Sequence, residues 1–205
     1  MIEEACRHLA KDPILRGIIR KHGSCDLRLR TLTPYATLTR AVAHQQLNGR
    51  AAETILARFR ALYGKNGRFP APAEVLATSP ATLRRVGFSR AKVLAIRDIA
   101  RHALNGTIPT TRRCQRLSDD ELIERLVAIR GVGRWTVEML LIFTLNRPDV
   151  LPVDDFGVRD GYRIAYGLKM QPAPKALRAI GERWAPYRSI AARYLWLAAN
   201  AAKDK

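Results

Sequence analysis

The chain has little cysteine, only three residues in 205, and Cys6, Cys25 and Cys114 lie far apart. This number and spacing exclude a disulfide framework and a multi-cysteine zinc site, and they are typical of a reducing compartment. No apolar run approaches the ~18 residues that a membrane-spanning helix needs. No signal-peptide pattern is visible either, so we expect a cytoplasmic protein. Histidine, cysteine and carboxylate residues form no metal-ligand cluster in the sequence.

Acidic residues are also scarce. Asp and Glu number 18 against 36 Lys and Arg, which gives a formal net charge of +18. A surplus of this size favours a polyanionic partner through electrostatic steering and counterion release, as DNA or RNA would provide. A membrane surface is poorly supported, because the basic residues are scattered and do not collect on one helix face. A generically basic protein with no such partner is the alternative that charge alone leaves open.

Alternating, strand-like patterns are nearly absent, whereas apolar residues recur with helical spacing along most of the chain. One stripe runs from Val93 to Leu104 and ends at the stop signal Asn105-Gly106. Ser118 and Glu121 form a capping-box pattern that predicts a helix to about Ile129. We expect irregular segments at three places, which are residues 65–72, 107–116 and 146–153. No fixed-period repeat is present, so a solenoid is excluded. The predicted fold class is all-α.

The segment "LVAIRGVGRWTVEML", residues 126–140, interrupts a helical pattern with Gly131-Val132-Gly133 and then restarts it. Glycine permits positive φ and exposes bare backbone, so a tight turn between two helices is predicted here. Backbone N–H groups at the start of the second helix, flanked by Arg130 and Arg134, would form an anion site suited to a phosphate. An ordinary interhelical turn with a glycine cap is the open alternative.

Four segments together resemble a known family. Residues 126–137 are similar to the helix-hairpin-helix of the DNA glycosylase superfamily that carries a Gly/Pro-rich loop and an aspartate, and "VLPVDDFGVRD" (150–160) is similar to that loop. "ERWAPYRSIAARYLW" (182–196) and "AHQQLNGRAA" (43–52) resemble the 3-methyladenine DNA glycosylase II (AlkA-like) branch. The resemblance extends from about Thr37 to the C-terminus, in a compact form without the N-terminal β domain of longer members.

The resemblance implies a two-lobed helical bundle with the active-site cleft between the lobes. We expect one lobe at about residues 37–135 and the other at about 1–36 plus 136–205. It further implies double-stranded DNA with a damaged base as the partner, a monomer, and no required cofactor. The family allows a monovalent cation bound by the hairpin backbone, and no four-cysteine run indicates an iron–sulfur cluster.

The doubled aspartate is the candidate catalytic site. Cleavage of an N-glycosidic bond builds positive charge on the deoxyribose, which a nearby carboxylate stabilises, and the same group can orient water. The resemblance assigns this role to Asp155 and leaves Asp154 as the cap of the following helix. The reverse assignment stays open, since family members with a single aspartate can be aligned to Asp154.

Bifunctional relatives carry a nucleophilic lysine two residues after the second hairpin glycine. Trp135 occupies that position here, so the resemblance implies a monofunctional enzyme that leaves an intact abasic site. The candidate walls of the base pocket are Trp135, Phe156 and Trp196, and we assign Trp184 to the core. Each tryptophan could equally be an ordinary core residue. Met139 and Leu197 stand where longer members have aromatic residues, so the resemblance implies a less aromatic pocket in this chain.

The segment "HQQLNG" predicts a turn between two helices at Asn48-Gly49. By resemblance, Leu47 would enter the gap left by an extruded nucleotide, and Gln46 and Asn48 would reach base edges or the opposite strand. A plain surface loop is the alternative. We expect His44 to be a packed or surface residue and not a general base.

The sequence thus predicts a monofunctional glycosylase that flips and excises N-alkylated purines such as 3-methyladenine and 7-methylguanine in base excision repair. Glycosylases for another lesion, such as hypoxanthine or ethenoadenine, are the alternative within enzymes. A non-catalytic DNA-binding module is the alternative outside them.

Overall fold

The computed structural model describes residues 2–24, 32–64 and 67–203, so Cys25 and Lys65 lie outside the described residues. This part of the chain contains thirteen α-helices, one 3-10 helix and no strand, and the predicted all-α class is confirmed. The helices are α1 Ile2–Leu9, α2 Pro13–His22, α3 Pro34–His44, α4 Gly49–Ala61, α5 Pro72–Ala77, α6 Pro80–Arg85, α7 Arg90–Leu104, α8 Thr111–Cys114, α9 Asp119–Val127, α10 Arg134–Phe143, α11 Phe156–Ala165, α12 Pro174–Gly181, the 3-10 helix Glu182–Trp184, and α13 Arg188–Lys203.

Most of these helices begin at a side-chain cap that the sequence provides. The predicted capping box is present, since the Ser118 N–H donates to Glu121 Oε2 at 2.6 Å and the Glu121 N–H donates to Ser118 Oγ at 3.2 Å. Ser79, Ser89 and Asn48 cap their helices in the same way. Short helix α8 lies inside a segment that we expected to be irregular, because the Thr110 hydroxyl caps its first turn.

The described residues divide into two compact units. The first contains residues 2–24 and 146–203, and the second contains 32–64 and 67–145. The second unit therefore begins earlier and ends later than the lobe expected at 37–135. Helix α10 belongs wholly to the second unit because it packs on α3 and α9 and buries every residue from Thr136 to Ile142.

The first unit is built on the contact between α11 and α13. Gly161 allows this close approach, because a Cβ at that position would lie 1.9 Å from the Leu195 carbonyl oxygen. Trp184 is 1% exposed and donates from Nε1 to Asp12 Oδ2 at 3.3 Å, so its assignment to the core is confirmed. Tyr166 donates its hydroxyl to the same Asp12 oxygen, which fixes the start of α2 against α11.

The second unit has α3 at its centre, in contact with α4, α7 and α10, and every residue of α3 from Pro34 to Thr39 is buried. The Phe59 ring packs edge-on against three neighbours, Tyr63, Phe69 and Phe88, with centroid distances of 5.3–5.9 Å. Such edge-to-face contacts are the preferred geometry of aromatic pairs. Among the described residues, no helix is both long enough and apolar enough to cross a bilayer.

Candidate functional site

In the first unit, Asp155 is the residue immediately before α11. Its Oδ1 accepts hydrogen bonds from the Val158 N–H and from Trp196 Nε1, both at 2.8 Å, and the residue is only 9% exposed. Asp154 is exposed. The expectation that Asp154 caps the helix is therefore wrong, because the extended backbone of Asp155 brings its own carboxylate over the first turn. One carboxylate thus caps α11 and holds an indole.

Gly157 is a part of this arrangement that the sequence reasoning missed. A Cβ at this position would lie 2.8 Å from Trp196 Cδ1 and 3.1 Å from Asp155 Oδ1. Only glycine lets the indole lie against the first turn of α11 and reach the carboxylate. A glycine in the first turn of a predicted helix, directly after the aspartates, was the available signal.

The structure brings together three of the predicted site residues at the start of α11. Trp196 is half-buried on α13 and is joined to Asp155 by the indole hydrogen bond. Phe156, the first residue of α11, is 66% exposed, which is unusual for a phenylalanine and leaves its ring accessible to a ligand. Trp135, the other predicted pocket residue, belongs to the second unit.

In the second unit, the predicted turn between α9 and α10 is present. Gly131 has a φ of +76°, and a Cβ there would lie 2.6 Å from Ala95 Cβ. Gly133, by contrast, has a φ of −94° and open space around it. Positive φ is therefore required at Gly131 alone, whereas Gly133 serves as an N-cap that adds no side chain over the first turn of α10. Val132 between them is buried.

The two arginines beside the hairpin, Arg130 and Arg134, form hydrogen bonds within the second unit. The Arg130 N–H donates to Asp98 Oδ2 at 3.0 Å, which ties the turn to α7. Arg134 Nε donates to Glu138 Oε1 at 3.1 Å across one turn of α10, while half of the Arg134 side chain is exposed. The exposed guanidinium lies at a helix N-terminus, where backbone dipoles also favour an anion.

The loop between α3 and α4 contains the residues that the sequence predicted for the DNA minor groove. Gln46 has a φ of +56°, a conformation that non-glycine residues rarely adopt. Leu47 is 40% exposed, and Asn48 caps α4 by accepting from the Ala51 N–H at 2.8 Å. The loop therefore presents an apolar side chain at its tip from a constrained backbone.

Two residues that the sequence reasoning missed fasten this loop. Gln45 donates from Nε2 to the Gly131 carbonyl at 2.9 Å and to Thr136 Oγ1 at 3.0 Å. Lys92 donates from Nζ to the carbonyls of Ala43 and Gln45 at 2.9 and 2.8 Å, and burial lowers the pKa of this ammonium group. The loop and the hairpin are thus held together by direct hydrogen bonds, which no local sequence pattern reveals.

Helices α3 and α10 frame a cavity of about 120 Å³ within the second unit. Helix α10 contributes an indole, a thioether and a phenyl ring, whereas α3 contributes mainly polar and charged groups. The lining residues are Trp135, Met139 and Phe143 from α10, and Thr37, Arg40, Ala41 and His44 from α3. Trp135, predicted as a pocket wall, therefore does line a cavity.

Arg40 and His44 share one carboxylate, that of Glu53 on α4. Arg40 donates to both Glu53 oxygens, at 2.9 Å from Nη1 to Oε2 and by a shorter bond from Nη2, and His44 Nε2 lies 3.0 Å from Oε1. Burial raises the pKa of the Glu53 carboxyl, but the hydrogen bonds and charges of Arg40 and His44 outweigh it, so the pKa lies below its usual range. His44 is thus a paired residue of the cavity wall.

Within the described ranges, no group of three or more His, Cys, Asp or Glu residues could hold a metal ion. A cation bound by the hairpin backbone stays a prediction. The Gly131 carbonyl oxygen already accepts from Gln45, so such an ion would share that carbonyl or depend on others.

Comparison with known proteins supplies a context for this geometry. The model of the HhH-GPD superfamily of base excision DNA repair proteins matches residues 39–186. DNA-3-methyladenine glycosylase 1 of Schizosaccharomyces pombe is 47% identical over 163 residues, which are 80% of this chain and 71% of that protein. The alkylbase DNA glycosidase-like protein mag2 of the same yeast is 35% identical over 95% of this chain and 92% of its own length.

Solved structures agree with the sequence matches. The S. pombe 3-methyladenine DNA glycosylase in complex with abasic DNA superposes with a TM-score of 0.89 at 42% identity, over 94% of this chain and 95% of that one. The 3-methyladenine DNA-glycosylase of Archaeoglobus fulgidus gives a TM-score of 0.84 at 26% identity, over 98% of this chain and 70% of that one.

Proposed function

The chain belongs to the HhH-GPD superfamily of base excision DNA repair proteins, and from this premise we propose that it is a monofunctional DNA glycosylase of the 3-methyladenine type. It flips an N-alkylated purine out of double-stranded DNA and hydrolyses the N-glycosidic bond, releasing bases such as 3-methyladenine and 7-methylguanine. The observation that carries the proposal is the Asp155 carboxylate, buried at the start of α11 and held by the indole of Trp196.

Asp155 acts on the charge that develops as the bond breaks. The deoxyribose becomes positively charged in the transition state, and a fixed carboxylate beside it lowers the barrier electrostatically. The same group orients the attacking water or accepts its proton. Two donors, from Val158 and Trp196, hold Oδ1, so the carboxylate needs no reorientation during the reaction.

Aromatic side chains bind the extruded base. N-alkylated purines carry positive charge, and the electron-rich face of an aromatic ring attracts a cation by about 0.5–2 kcal/mol per contact. The candidate rings are Trp135 in the second unit and Phe156 and Trp196 in the first. This small preference is enough, because alkylation has already weakened the glycosidic bond. Support for the assignment comes from the exposed ring of Phe156 and from the cavity that Trp135 lines.

The loop and the hairpin of the second unit grip the DNA. The backbone of Gly131, Val132 and Gly133 binds a phosphate at the start of α10, with Arg134 adding charge. Leu47 fills the space that the extruded nucleotide leaves, and Gln46 and Asn48 contact base edges or the opposite strand. The enzyme works as a monomer in the cytoplasm.

Trp135 also determines how the reaction ends. An indole cannot form a Schiff base with the sugar, so the product is an intact abasic site and no strand is cut. Borohydride treatment of a reaction mixture should trap no covalent protein–DNA adduct. A trapped adduct would contradict the monofunctional mechanism.

The decisive experiment uses duplex DNA that carries a single 7-methylguanine. Incubation with the protein and then with an abasic-site endonuclease at neutral pH should break the strand at the lesion, whereas the endonuclease alone should leave it intact. Chromatography should detect the free methylated base. Matched duplexes carrying hypoxanthine or ethenoadenine test the alternative lesions. Tight binding to abasic DNA without release of any base would identify a non-catalytic binding module and overturn the proposal.

A further inference from the structure

The cavity framed by α3 and α10 has a charge arrangement that a pocket for cationic bases needs. Trp135, Met139 and Phe143 supply one wall, and Arg40 lies in the other. An N-alkylated purine is a cation, so an uncompensated guanidinium in the same cavity would repel it. The second unit avoids this conflict by pairing Arg40 with a carboxylate.

That carboxylate belongs to Glu53, which does not itself line the cavity. Both of its oxygens accept from Arg40, and one also contacts His44 Nε2. Three interactions therefore hold the Glu53 carboxylate against two residues of the cavity wall. A bidentate guanidinium–carboxylate pair is stronger and more specific in geometry than a hydrogen bond between neutral groups. Within this pair the two charges cancel, so the guanidinium adds no net charge to a cavity whose other wall is the aromatic surface of α10.

We infer that Glu53 determines lesion preference, by cancelling the charge of Arg40 so that the cavity accepts cationic alkylated purines. The inference rests on the proposed function, since it takes the cavity beside Trp135 as part of the base pocket. Glu53 acts through Arg40 and is therefore a specificity-determining residue that does not touch the base.

The reaction's charge balance predicts opposite effects on two substrates. With a cationic base such as 7-methylguanine, base and sugar together carry one positive charge throughout bond cleavage, and a bare Arg40 opposes it at every stage. With a neutral base such as hypoxanthine, the departing base gains negative charge, which a bare Arg40 stabilises. Removing the Glu53 charge should therefore lower the excision of 7-methylguanine and leave the excision of hypoxanthine equal or higher.

The test is a double-mutant cycle of four proteins: wild type, Glu53→Gln, Arg40→Gln and the double variant. For each protein, kcat/KM is measured on 7-methylguanine and on hypoxanthine. Glu53→Gln should lower 7-methylguanine excision about tenfold, as expected for a unit charge a few ångströms away in partly exposed protein. The double variant, in which the net charge of the position 40–53 pair is again zero, should return to within about threefold of wild type. Arg40→Gln should not lower 7-methylguanine excision relative to hypoxanthine.

A matched control separates the effect of the charge beside the cavity from the effect of the protein's net charge. Glu182→Gln makes the same change in net charge by removing an exposed partner of Arg188 in the other unit, and it should leave the ratio of the two activities unchanged. Circular dichroism and thermal unfolding establish that each variant is folded. If the double variant is as impaired as Glu53→Gln, the ion pair has a structural role only and the inference is overturned. If wild type releases no 7-methylguanine, the proposed function itself fails.

Discussion

The indole N–H of Trp196 and the Oδ1 of Asp155 are joined by a 2.8 Å hydrogen bond between α13 and the start of α11. The bond links the aromatic surface proposed for the base to the carboxylate proposed for the sugar. Gly157 makes the bond sterically possible, since any Cβ there would collide with the indole. The groups proposed for base binding and for catalysis in the first unit therefore meet at one oxygen atom.

Asp155→Asn should abolish base release while DNA binding persists. Asparagine can still cap α11 and accept from Trp196, so the fold is preserved and only the negative charge is lost. We expect at least a hundredfold lower single-turnover rate, similar to the loss of other preorganised charge-stabilising groups. Asp154→Asn removes the exposed neighbouring carboxylate and is the matched control. A larger loss in Asp154→Asn than in Asp155→Asn would reverse the assignment.

The aspartate pair illustrates what the sequence could and could not provide. The motif assigned catalysis to Asp155, and the structure makes it the buried member of the pair. The helix cap was predicted at Asp154, because sequence reasoning gave each aspartate one task. The extended backbone at Asp155 lets the side chain proposed for catalysis also cap the helix. The hydrogen bond from Trp196, 41 positions away, depends on the packing of α13 and has no local sequence signal.

The two hairpin glycines should respond differently to alanine. Gly131→Ala forces a side chain onto a positive φ and onto Ala95 Cβ, so we expect a loss of about 1–3 kcal/mol in the free energy of unfolding and weaker DNA binding. Gly133→Ala meets open space at a negative φ and should cost less than about 1 kcal/mol. Urea unfolding and fluorescence polarisation with abasic DNA measure both quantities. Equal losses in the two variants would contradict the conformational argument.

Local patterns predicted helices α7, α9 and α10, the hairpin and the loop, because periodicity, caps and glycines act within a few residues. They did not predict that Gln45 would bond to Gly131, 86 positions away, or that Lys92 would hold the same loop. The boundary after α10 was missed for a related reason. The hydrophobic pattern of α10 shows that it is buried, but not which unit buries it.

Leu47→Ala should weaken binding to DNA that contains an abasic-site analogue. A leucine that moves from water into the base stack contributes about 1.5–3 kcal/mol, so the affinity should fall roughly tenfold or more. Leu62→Ala, at a leucine of similar exposure (42% against 40%) in the same unit, is the matched control and should leave the affinity unchanged. Fluorescence polarisation at fixed salt measures both. Equal affinities for wild type and Leu47→Ala would eliminate the wedge.

Asp12 should make the stability of the first unit sensitive to acid. Burial raises the pKa of its carboxyl, but hydrogen bonds from Tyr166, Trp184 and the Leu15 N–H, with the charge of Arg183, together lower it below the ordinary 3.8. A lowered pKa stabilises the fold above pH 3.8, and this contribution is lost as pH falls through the folded-state value. Asp12→Asn should therefore be about 1–3 kcal/mol less stable than wild type at pH 7. Its free energy of unfolding should also fall less than that of wild type when the pH is lowered. Urea unfolding at pH 7 and pH 3 measures these free energies, and Asp154→Asn is the control. An equal loss of stability on acidification in wild type and Asp12→Asn would refute the role of Asp12.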